Sequence, residues 1–582
     1  MFSLNRMKLV RMMSEQKPLT TGKSIVFIIL IGFLVYSNGL LNAFVGDDLY
    51  QVVDNIFIRS LKNVPFFFTG STFFNGASQS FNGIYYKPIL STFFALIYFI
   101  AGPAPFVFHL AQLLVHMANS ILLFLLFKQH FKNIQALVLS IVFLVHPINS
   151  EAVLYISDTQ EVLFLFFGLL TLKILTSFHS KKAIFLSGVF VFLSLLSKES
   201  GILFIPVSVI YVFLFRKNQL FKWLAVVIPV IGAYFILRIN AIGIIANSTP
   251  VAPIEKLPLL TRLHHVPEII AFYLKTFLFP INLSFSYHWT YPIITFEHFY
   301  LPLFVVVLFV SGIIYAFFWV KKQSLMRLNL YAFFVFWFFI GILLHVQILP
   351  LDATVADRWF YFPIIGVLGA LGVLLEPFRI NLSNKWVLMI IAALLIPFSV
   401  RTFLRSFDYR NSLTLISKDI QVSKNDYNLH NGMGDELIKT GNLSEAKEHA
   451  EISIKLNPGW NNYNLLGTVY LKLGDYENAK QMYLKALTYS DNYMTYQNLG
   501  SLTLLGGNKE DNLAFLKQTL EKFPLDSKLW LYMAIIEYQD GNVVIAKNAV
   551  ANSVRYNFAK DPEVVSIYRI ITNEQPLNII FK

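Results

Sequence analysis

The chain contains no cysteine. That removes disulfide frameworks, thiolate zinc sites, iron–sulfur clusters and cysteine nucleophiles from consideration. Charge is scarce too: 14% of the 582 residues are Asp, Glu, Lys or Arg, against about 25% in an average soluble domain. No basic stripe sits on a soluble segment, so nucleic acid is not an expected partner. No HExxH spacing is present. What the chain does have is apolar: 56% hydrophobic residues and a mean hydropathy of +0.58. This excludes a disordered chain and a plain soluble enzyme. It points to a polytopic membrane protein, in a chain long enough for two or three domains.

The charge is unevenly placed. Residues 401–582 hold 20 basic and 20 acidic residues, so the whole net charge of +13 lies in residues 1–400. That part carries 11 apolar runs, near 24–45, 104–127, 134–147, 159–176, 183–197, 201–215, 223–243, 300–320, 328–347, 360–378 and 386–402. A bilayer crossing needs about 20 such residues. A cleaved signal peptide is the alternative for the first run, but Asn42-Ala43-Phe44 is a poor small-residue cleavage site. The segment 266–283 is apolar but interrupted by Glu268, Lys275 and Pro280, as suits an interfacial element.

Basic residues collect in alternate loops. They are Arg6, Lys8, Arg11, Lys17 and Lys23 ahead of the first run, then Lys128, Lys132, Lys181, Lys182, Arg216, Lys217, Lys222, Lys321, Lys322, Arg327, Arg379 and Lys385. The positive-inside rule then puts residues 1–23 in the cytoplasm. With 11 crossings, the tail lies outside a multi-pass plasma-membrane domain. Of the 14 acids in this part, only Glu15 and Glu376 fall on the inner side. The remaining acids suggest carboxylate chemistry at the outer face.

From about Asn425 the pattern changes to soluble helices with a period near 34. Gly441, Gly474, Gly507 and Gly541 each precede Asn or Asp; small residues recur seven before (Gly434, Gly467, Gly500, Ala534) and, except for Asn512, five after (Ala446, Ala479, Ala546). Pro458 and Pro524 follow at one fixed offset. Small residues let paired helices approach, and glycine serves the turn. Such pairs stack into a solenoid with a concave surface, which reads as a protein- or peptide-binding groove; a structural cap on the membrane domain is the alternative.

Polar residues gather where the apolar runs reach the outer side. The first run ends in Phe44-Val45-Gly46-Asp47-Asp48. Adjacent carboxylates raise each other's pKa, and one is suited to take a proton as a general base; solvated interfacial charges are the alternative. Tyr85-Tyr86-Lys87-Pro88 places one cation among aromatics, fit for a lipid phosphate or for simple snorkelling. His109 and His116 share a helix face, a spacing more typical of packing than of metal ligation. His146-Pro147 leads into Glu151, then Asp158 and Glu161. Further clusters are Lys198-Glu199, Arg262-Leu263-His264-His265 and Asp357-Arg358. Their cations suit an anionic headgroup, and local ion pairs are the alternative, Lys198 with Glu199 and Asp357 with Arg358.

Taken in order, these motifs resemble the GT-C-type membrane glycosyltransferases, most closely the transmembrane and tetratricopeptide repeat-containing O-mannosyltransferases. The matching residues are Phe44 to Asp48, Tyr86-Lys87-Pro88, Phe108-His109, His146-Pro147 to Glu151, Lys198-Glu199 with Gly201, Arg262 to Tyr287, and Asp357-Arg358 with Tyr361 and Pro363. The resemblance implies an all-α fold, a bundle of about 11 spans over 24–405, a linker helix over 406–424 and repeats over 425–582. It implies transfer of mannose or a similar hexose from a polyprenyl-phosphate donor to a protein hydroxyl held near the repeats. Asp47 or Asp48 would be the base. Lys87 and one of Arg262 or Arg358 would hold the donor phosphate, with Tyr86, His109, His146, Glu151, Glu161, Lys198, Glu199 and Asp357 around them. No cofactor is implied, although the acidic clusters are chemically able to hold a divalent metal. Three departures from the family pattern stand out: Lys87 replaces an Arg, Asn149 a His, and Thr159 and Glu161 an Arg and an Asp. A transferase to a lipid or glycan, or a non-catalytic membrane-anchored scaffold, is the competing reading.

Overall fold

A computed structural model describes residues 20–72, 85–178, 180–243, 251–378, 384–557 and 561–577. The basic residues Arg6, Lys8, Arg11, Lys17 and Arg379 invoked above lie outside the described residues. The described chain is helical throughout its regular structure. Each of the 11 apolar runs forms a helix. These are α1 (Thr21–Tyr36), then, after α2 (Pro88–Ala101), α3 (Pro105–Phe127), α4 (Asn133–Val145), α5 (Thr159–Ser177), α6 (Lys181–Ser197), α7 (Phe204–Phe215) and α8 (Leu220–Ile242). After α9 (Val266–Leu278) come α10 (Leu301–Lys321), α11 (Leu325–Leu343), α12 (Pro363–Leu375) and α13 (Lys385–Asp408). The apolar helix α2 was not among the runs read from sequence.

Among the described residues six helical stretches are long and apolar enough to cross a bilayer, or seven if the bent pair Asn133–Val145 and Pro147–Leu154 is one span. Four others are apolar but shorter. The bend of 49° falls at His146-Pro147. A residue before proline is driven out of the helical region, and His146 accordingly has φ −68° and ψ 125°.

Three of the long helices show why this part belongs in lipid. Only 11% of the apolar window of α10, 17% of that of α8 and 6% of that of α13 is covered by protein. Their exposed Phe, Leu and Ile side chains form a surface far larger than water tolerates on a folded monomer. Inside the bundle, small residues set the spacing. A Cβ on Gly366 of α12 would lie 2.4 Å from the Phe338 nitrogen of α11, so these two helices meet at backbone contact.

The tail begins with α14 (Ser412–Val422) and continues as helix pairs: α15 (Tyr427–Lys439) with α16 (Leu443–Leu456), α17 (Trp460–Lys472) with α18 (Tyr476–Leu487), α19 (Tyr493–Leu502) with α20 (Lys509–Lys522), and α21 (Ser527–Gln539) with α22 (Val543–Arg555), followed by α23 (Pro562–Thr572). The turn glycines Gly441, Gly474 and Gly541 adopt φ near +80°, as their repeat position requires. The small positions pack as expected: a Cβ on Gly467 would meet the Tyr483 ring at 2.5 Å.

Tail and membrane helices are joined by buried polar contacts. Arg405 near the end of α13 donates to both carboxylate oxygens of Asp419 on α14, at 2.5 and 2.8 Å, and both side chains are buried. Asp419 also accepts from the Phe285 N–H at 2.8 Å. Asp426, at the start of α15, accepts from Ser286 Oγ and His288 Nδ1 at 3.0 and 2.9 Å. His288 in turn reaches the Asp352 carbonyl at 3.0 Å. Arg405→Ala strands the Asp419 carboxylate in the interior and is expected to destabilise this junction by about 3–5 kcal/mol. Faster proteolytic separation of the tail from the membrane helices checks it; an unchanged cleavage rate would contradict it.

Candidate functional site

Helix α1 ends at Tyr36, and the chain turns at Gly46, which has φ +51°. A Cβ at Gly46 would stand 2.8 Å from the Tyr155 hydroxyl, so glycine answers both the left-handed backbone and the crowding. The two following carboxylates then part company. Asp48 is wholly buried. Its Oδ2 accepts from the Val45 N–H at 3.0 Å, and its Oδ1 accepts from both the N–H and the hydroxyl of Ser157 at 2.7 Å. It ties the first loop to the segment before α5. Burial pushes its carboxyl up to about 7 even against these donors.

Asp47 is exposed and lines a cavity of about 330 Å³. Its N–H donates to the Tyr155 hydroxyl at 2.8 Å, and that hydroxyl also lies beside its carboxylate. The protein mass around the cavity raises the Asp47 carboxyl above its ordinary range; Arg358 and Lys87 pull it down, Asp352 pushes it further up. The mutual repulsion of adjacent aspartates, expected from sequence, is thus a minor cause beside burial.

Arg358 lines the same cavity. Its guanidinium pairs with Glu151 and stands 3.5 Å from Asp158, and its N–H donates to Glu151 Oε2 at 2.8 Å. The acids hold the cation well above its ordinary pKa although burial opposes this. Asp352 completes that wall, accepting from the Tyr85 hydroxyl at 2.6 Å. Burial raises Asp352, but Arg358, Tyr85, Lys87 and His288 outweigh it and hold the carboxyl below its usual range.

Lys87 caps α2 and is buried, with Nζ 4.2 Å from the Tyr85 ring centroid. Among the described residues no carboxylate lies within 4.0 Å of Nζ. Burial lowers its pKa, with Lys198 acting in the same sense and Glu199, Glu161 and Asp158 opposing. Glu199 is occupied otherwise, accepting from the Tyr86 N–H at 3.0 Å. Lys198 pairs with Glu161 across 37 residues. Neither of the sequence-adjacent pairs is therefore an ion pair: Lys198 turns to Glu161 rather than Glu199, and Arg358 to Glu151 rather than Asp357. Short loops between helices point neighbouring side chains in different directions, so partners come from other elements.

The structure gathers Asp47, Lys87, Glu151, Glu161, Lys198, Glu199 and Arg358 into one polar layer. It draws four candidates away from it. Arg262 donates to the carbonyls of Leu257, Gln347 and Ile348 at 2.8, 3.0 and 3.1 Å, which occupies its guanidinium. It latches the loop in which Gln347 holds the strained φ of +61°. His146 bonds the Phe277 carbonyl at 2.9 Å and caps the turn at Ile148. His109 is buried against the Asn42-Ala43 backbone. Asp357 is buried behind Arg358, and burial holds its carboxyl well above the usual range. His116 serves packing, bonded to the Tyr361 hydroxyl at 2.7 Å.

Sequence reasoning passed over Tyr155, His288 and Asp352. Nothing local marks Tyr155. The carboxylate five residues ahead of Asp357 was the one available signal for Asp352. Among the described residues no group of three or more His, Asp or Glu side chains is placed to hold a metal ion.

Residues 87–243 match the dolichyl-phosphate-mannose-protein mannosyltransferase family, and residues 461–493 match the tetratricopeptide repeat. The protein O-mannosyl-transferase F38B6.6 of Caenorhabditis elegans is 24% identical over 481 residues, 77% of this chain and 65% of that protein. The protein O-mannosyl-transferase TMTC1 of Homo sapiens is 32% identical over 133 residues, 22% of this chain and 15% of that protein. The solved structure of YrrB, a TPR protein with an unusual peptide-binding site, aligns with 33% of this chain and 95% of its own at 16% identity, with a TM-score of 0.22. The chain therefore spans under two-thirds of the length of these two curated relatives. Lys87, Glu151, Glu161, Lys198 and Glu199 fall within the matched segment and the repeat match falls in the tail beyond α14: the chain is similar to protein O-mannosyl-transferases, with the mannosyltransferase match in its membrane part and a tetratricopeptide-repeat match in its tail.

Proposed function

We propose that the chain is a membrane glycosyltransferase that moves mannose or a similar hexose from a polyprenyl-phosphate donor to a polypeptide hydroxyl. The observation that carries this reading is the cavity in which the exposed carboxylate of Asp47 and the guanidinium of Arg358 stand together. The acceptor hydroxyl gives its proton to Asp47 as its oxygen bonds the anomeric carbon. The bond from that carbon to the phosphate oxygen breaks, and polyprenyl phosphate leaves with the electron pair. Attack from the face opposite the phosphate inverts the anomeric configuration.

Arg358 and Lys87 supply positive charge where the leaving phosphate gains negative charge. Lys87 is suited to this because its ammonium is buried without a carboxylate pair; as a lysine it neutralises charge without the planar fork of an arginine. Glu151 and Asp158 keep Arg358 oriented, and Glu161 does the same for Lys198. The prenyl chain lies in lipid against the exposed apolar helices. The gathering of basic residues in alternate loops supports an orientation with the repeats outside the cytoplasm.

The test supplies labelled polyprenyl-phosphate mannose to sealed right-side-out vesicles containing the chain. Label in protein, together with cleavage of the repeats by external protease, is the expected result. Label in lipid or glycan would change the acceptor class. No transfer with any polyprenyl-phosphate hexose, from stable protein, would favour a scaffold.

A further inference from the structure

His288 stands where the membrane helices meet the tail, and both nitrogens of its ring face acceptors. Nε2 lies 3.0 Å from the Asp352 carbonyl, and Nδ1 lies 2.9 Å from Asp426 Oδ2. A carbonyl oxygen only accepts, so Nε2 carries a proton. Asp426 is held as a carboxylate. Its Oδ1 caps α15, accepting from the Asn428 and Leu429 N–H groups at 2.9 and 3.1 Å, and its Oδ2 also accepts from the Ser286 hydroxyl at 3.0 Å. Facing that carboxylate, Nδ1 needs a proton as well. A neutral imidazole has one N–H and serves one of the two acceptors; only the imidazolium serves both.

The surroundings agree. From α15 come Asp426 and the ring of Tyr427, edge-on with centroids 4.8 Å apart. Ser286 Oγ lies 3.1 Å from Nδ1. Asp352 comes from another loop, and Arg358 and Tyr85 act on its carboxylate in turn. Burial opposes a charge on His288, but Asp426 and Asp352 outweigh it and raise its pKa above the ordinary histidine value.

Each end of the ring leads to a different part of the cavity, which His288 itself lines. Through Asp426 it holds the first turn of α15, whose Asn428 and Asp435 form the tail's side of the cavity. Through Asp352 it holds the residue that accepts from the Tyr85 hydroxyl, and the Tyr85 ring lies 4.2 Å from Lys87 Nζ.

We propose that His288 is a positioning residue which, as an imidazolium, clamps the first repeat to the Asp352 loop and so sets the geometry of the cavity. Loss of its second proton leaves one of the two acceptors without a donor. The clamp is therefore complete at pH below the histidine pKa and opens as pH rises through it. This inference rests on the transferase reading for what the cavity does, but the clamp is tested without a sugar donor.

The test follows the rate at which protease separates the tail from the membrane helices in the full-length detergent-solubilised chain. It uses a pH series spanning the histidine range, corrected with an unstructured reference substrate. In the wild type the rate should rise about 10- to 100-fold from the acidic to the alkaline end, the loss of one hydrogen bond to a charged group. Asp426→Asn is the discriminating variant. Its amide oxygen keeps the cap, which Asn serves as well as Asp. Its amide nitrogen takes the place of Oδ2 and donates to a neutral Nδ1. The junction should then stay closed at the alkaline end and open toward acid, reversing the profile. His288→Gln has no titrating ring and should remove the pH dependence, whereas a merely structural contact would lose protection equally at every pH. A wild-type rate indifferent to pH, or an Asp426→Asn chain with the wild-type profile, would overturn the inference. In the transfer assay, kcat/KM should show an alkaline limb that Asp426→Asn lacks. A clamp that opens while kcat/KM stays flat would reduce His288 to a tie and count against the positioning role. A chain with the pH-dependent clamp and no sugar transfer would sink the transferase reading alone.

Discussion

Asp47→Asn is expected to lower sugar transfer by about 10²- to 10⁴-fold while leaving the fold intact, the range contributed by a positioned general base. The basis is the unequal fate of two neighbouring residues. Asp47 opens to the cavity, so its amide isostere removes a proton acceptor and little else. Asp48 accepts three hydrogen bonds in the interior. Asp48→Asn turns part of that acceptor into a donor facing donors, which costs about 1–3 kcal/mol of stability. Transfer in the Asp48 variant should therefore fall together with thermal stability, whereas Asp47→Asn should separate the two.

The pH profile gives a second readout. A base must be ionised to act, so kcat/KM should fall as pH drops through the Asp47 pKa, which stands above the ordinary carboxylate range. Arg358 lowers that pKa, so a residual activity of Arg358→Gln should show its acidic limb at higher pH. A stable Asp48→Asn that is inactive, beside an active Asp47→Asn, would reverse the assignment.

Arg358 carries the second large effect, and it acts twice. In the proposed reaction it faces the leaving phosphate, and loss of such a charge typically costs about 10²- to 10³-fold in kcat. In the fold it neutralises Glu151 and Asp158, whose side chains are 2% and 5% exposed. Arg358→Gln strands both acids and is expected to destabilise the bundle by about 3–5 kcal/mol. The pair Arg358→Gln with Glu151→Gln removes a charge of each sign. It should recover much of the stability and none of the transfer. Thermal unfolding in detergent and the transfer assay, run on both variants, distinguish the contributions. Recovery of transfer along with stability would assign Arg358 a purely structural role.

The contrast between Arg358 and Arg262 shows how little of a site's geometry is written locally. Both are lone arginines near aromatics and carboxylates in the sequence. One lines the cavity; the other is saturated by three carbonyls. The contacts that separate them come from residues 207 and 85–86 positions away. The same holds for Lys87, whose proposed role toward a phosphate depends on Glu199 being taken up by the Tyr86 backbone. Helix α2 escaped the sequence reading for another reason. Its 14 residues, Ser91 and Thr92 among them, are too few to satisfy a spanning rule, though they form a helix that starts at Lys87.

Sequence by itself determined what depends on periodic or local chemistry. Apolar runs are helices because a backbone in lipid must satisfy its own hydrogen bonds. Repeats at fixed spacing are stacked pairs because small residues and positive-φ glycines recur where close packing and turns need them. The order of motifs along the chain was likewise legible, and the comparisons with known proteins agree with the resemblance it carried. Tertiary structure alone decided which of Asp47 and Asp48 is open and which is a buried tie, and which cations are already spent on other groups. It also decided that the first repeat closes the cavity through Asn428, Asn431 and Asp435. These outcomes depend on which distant donors and acceptors meet once the bundle closes. Pairing in a low-dielectric interior is set by distance and direction in space, and neither is contained in the spacing along the chain.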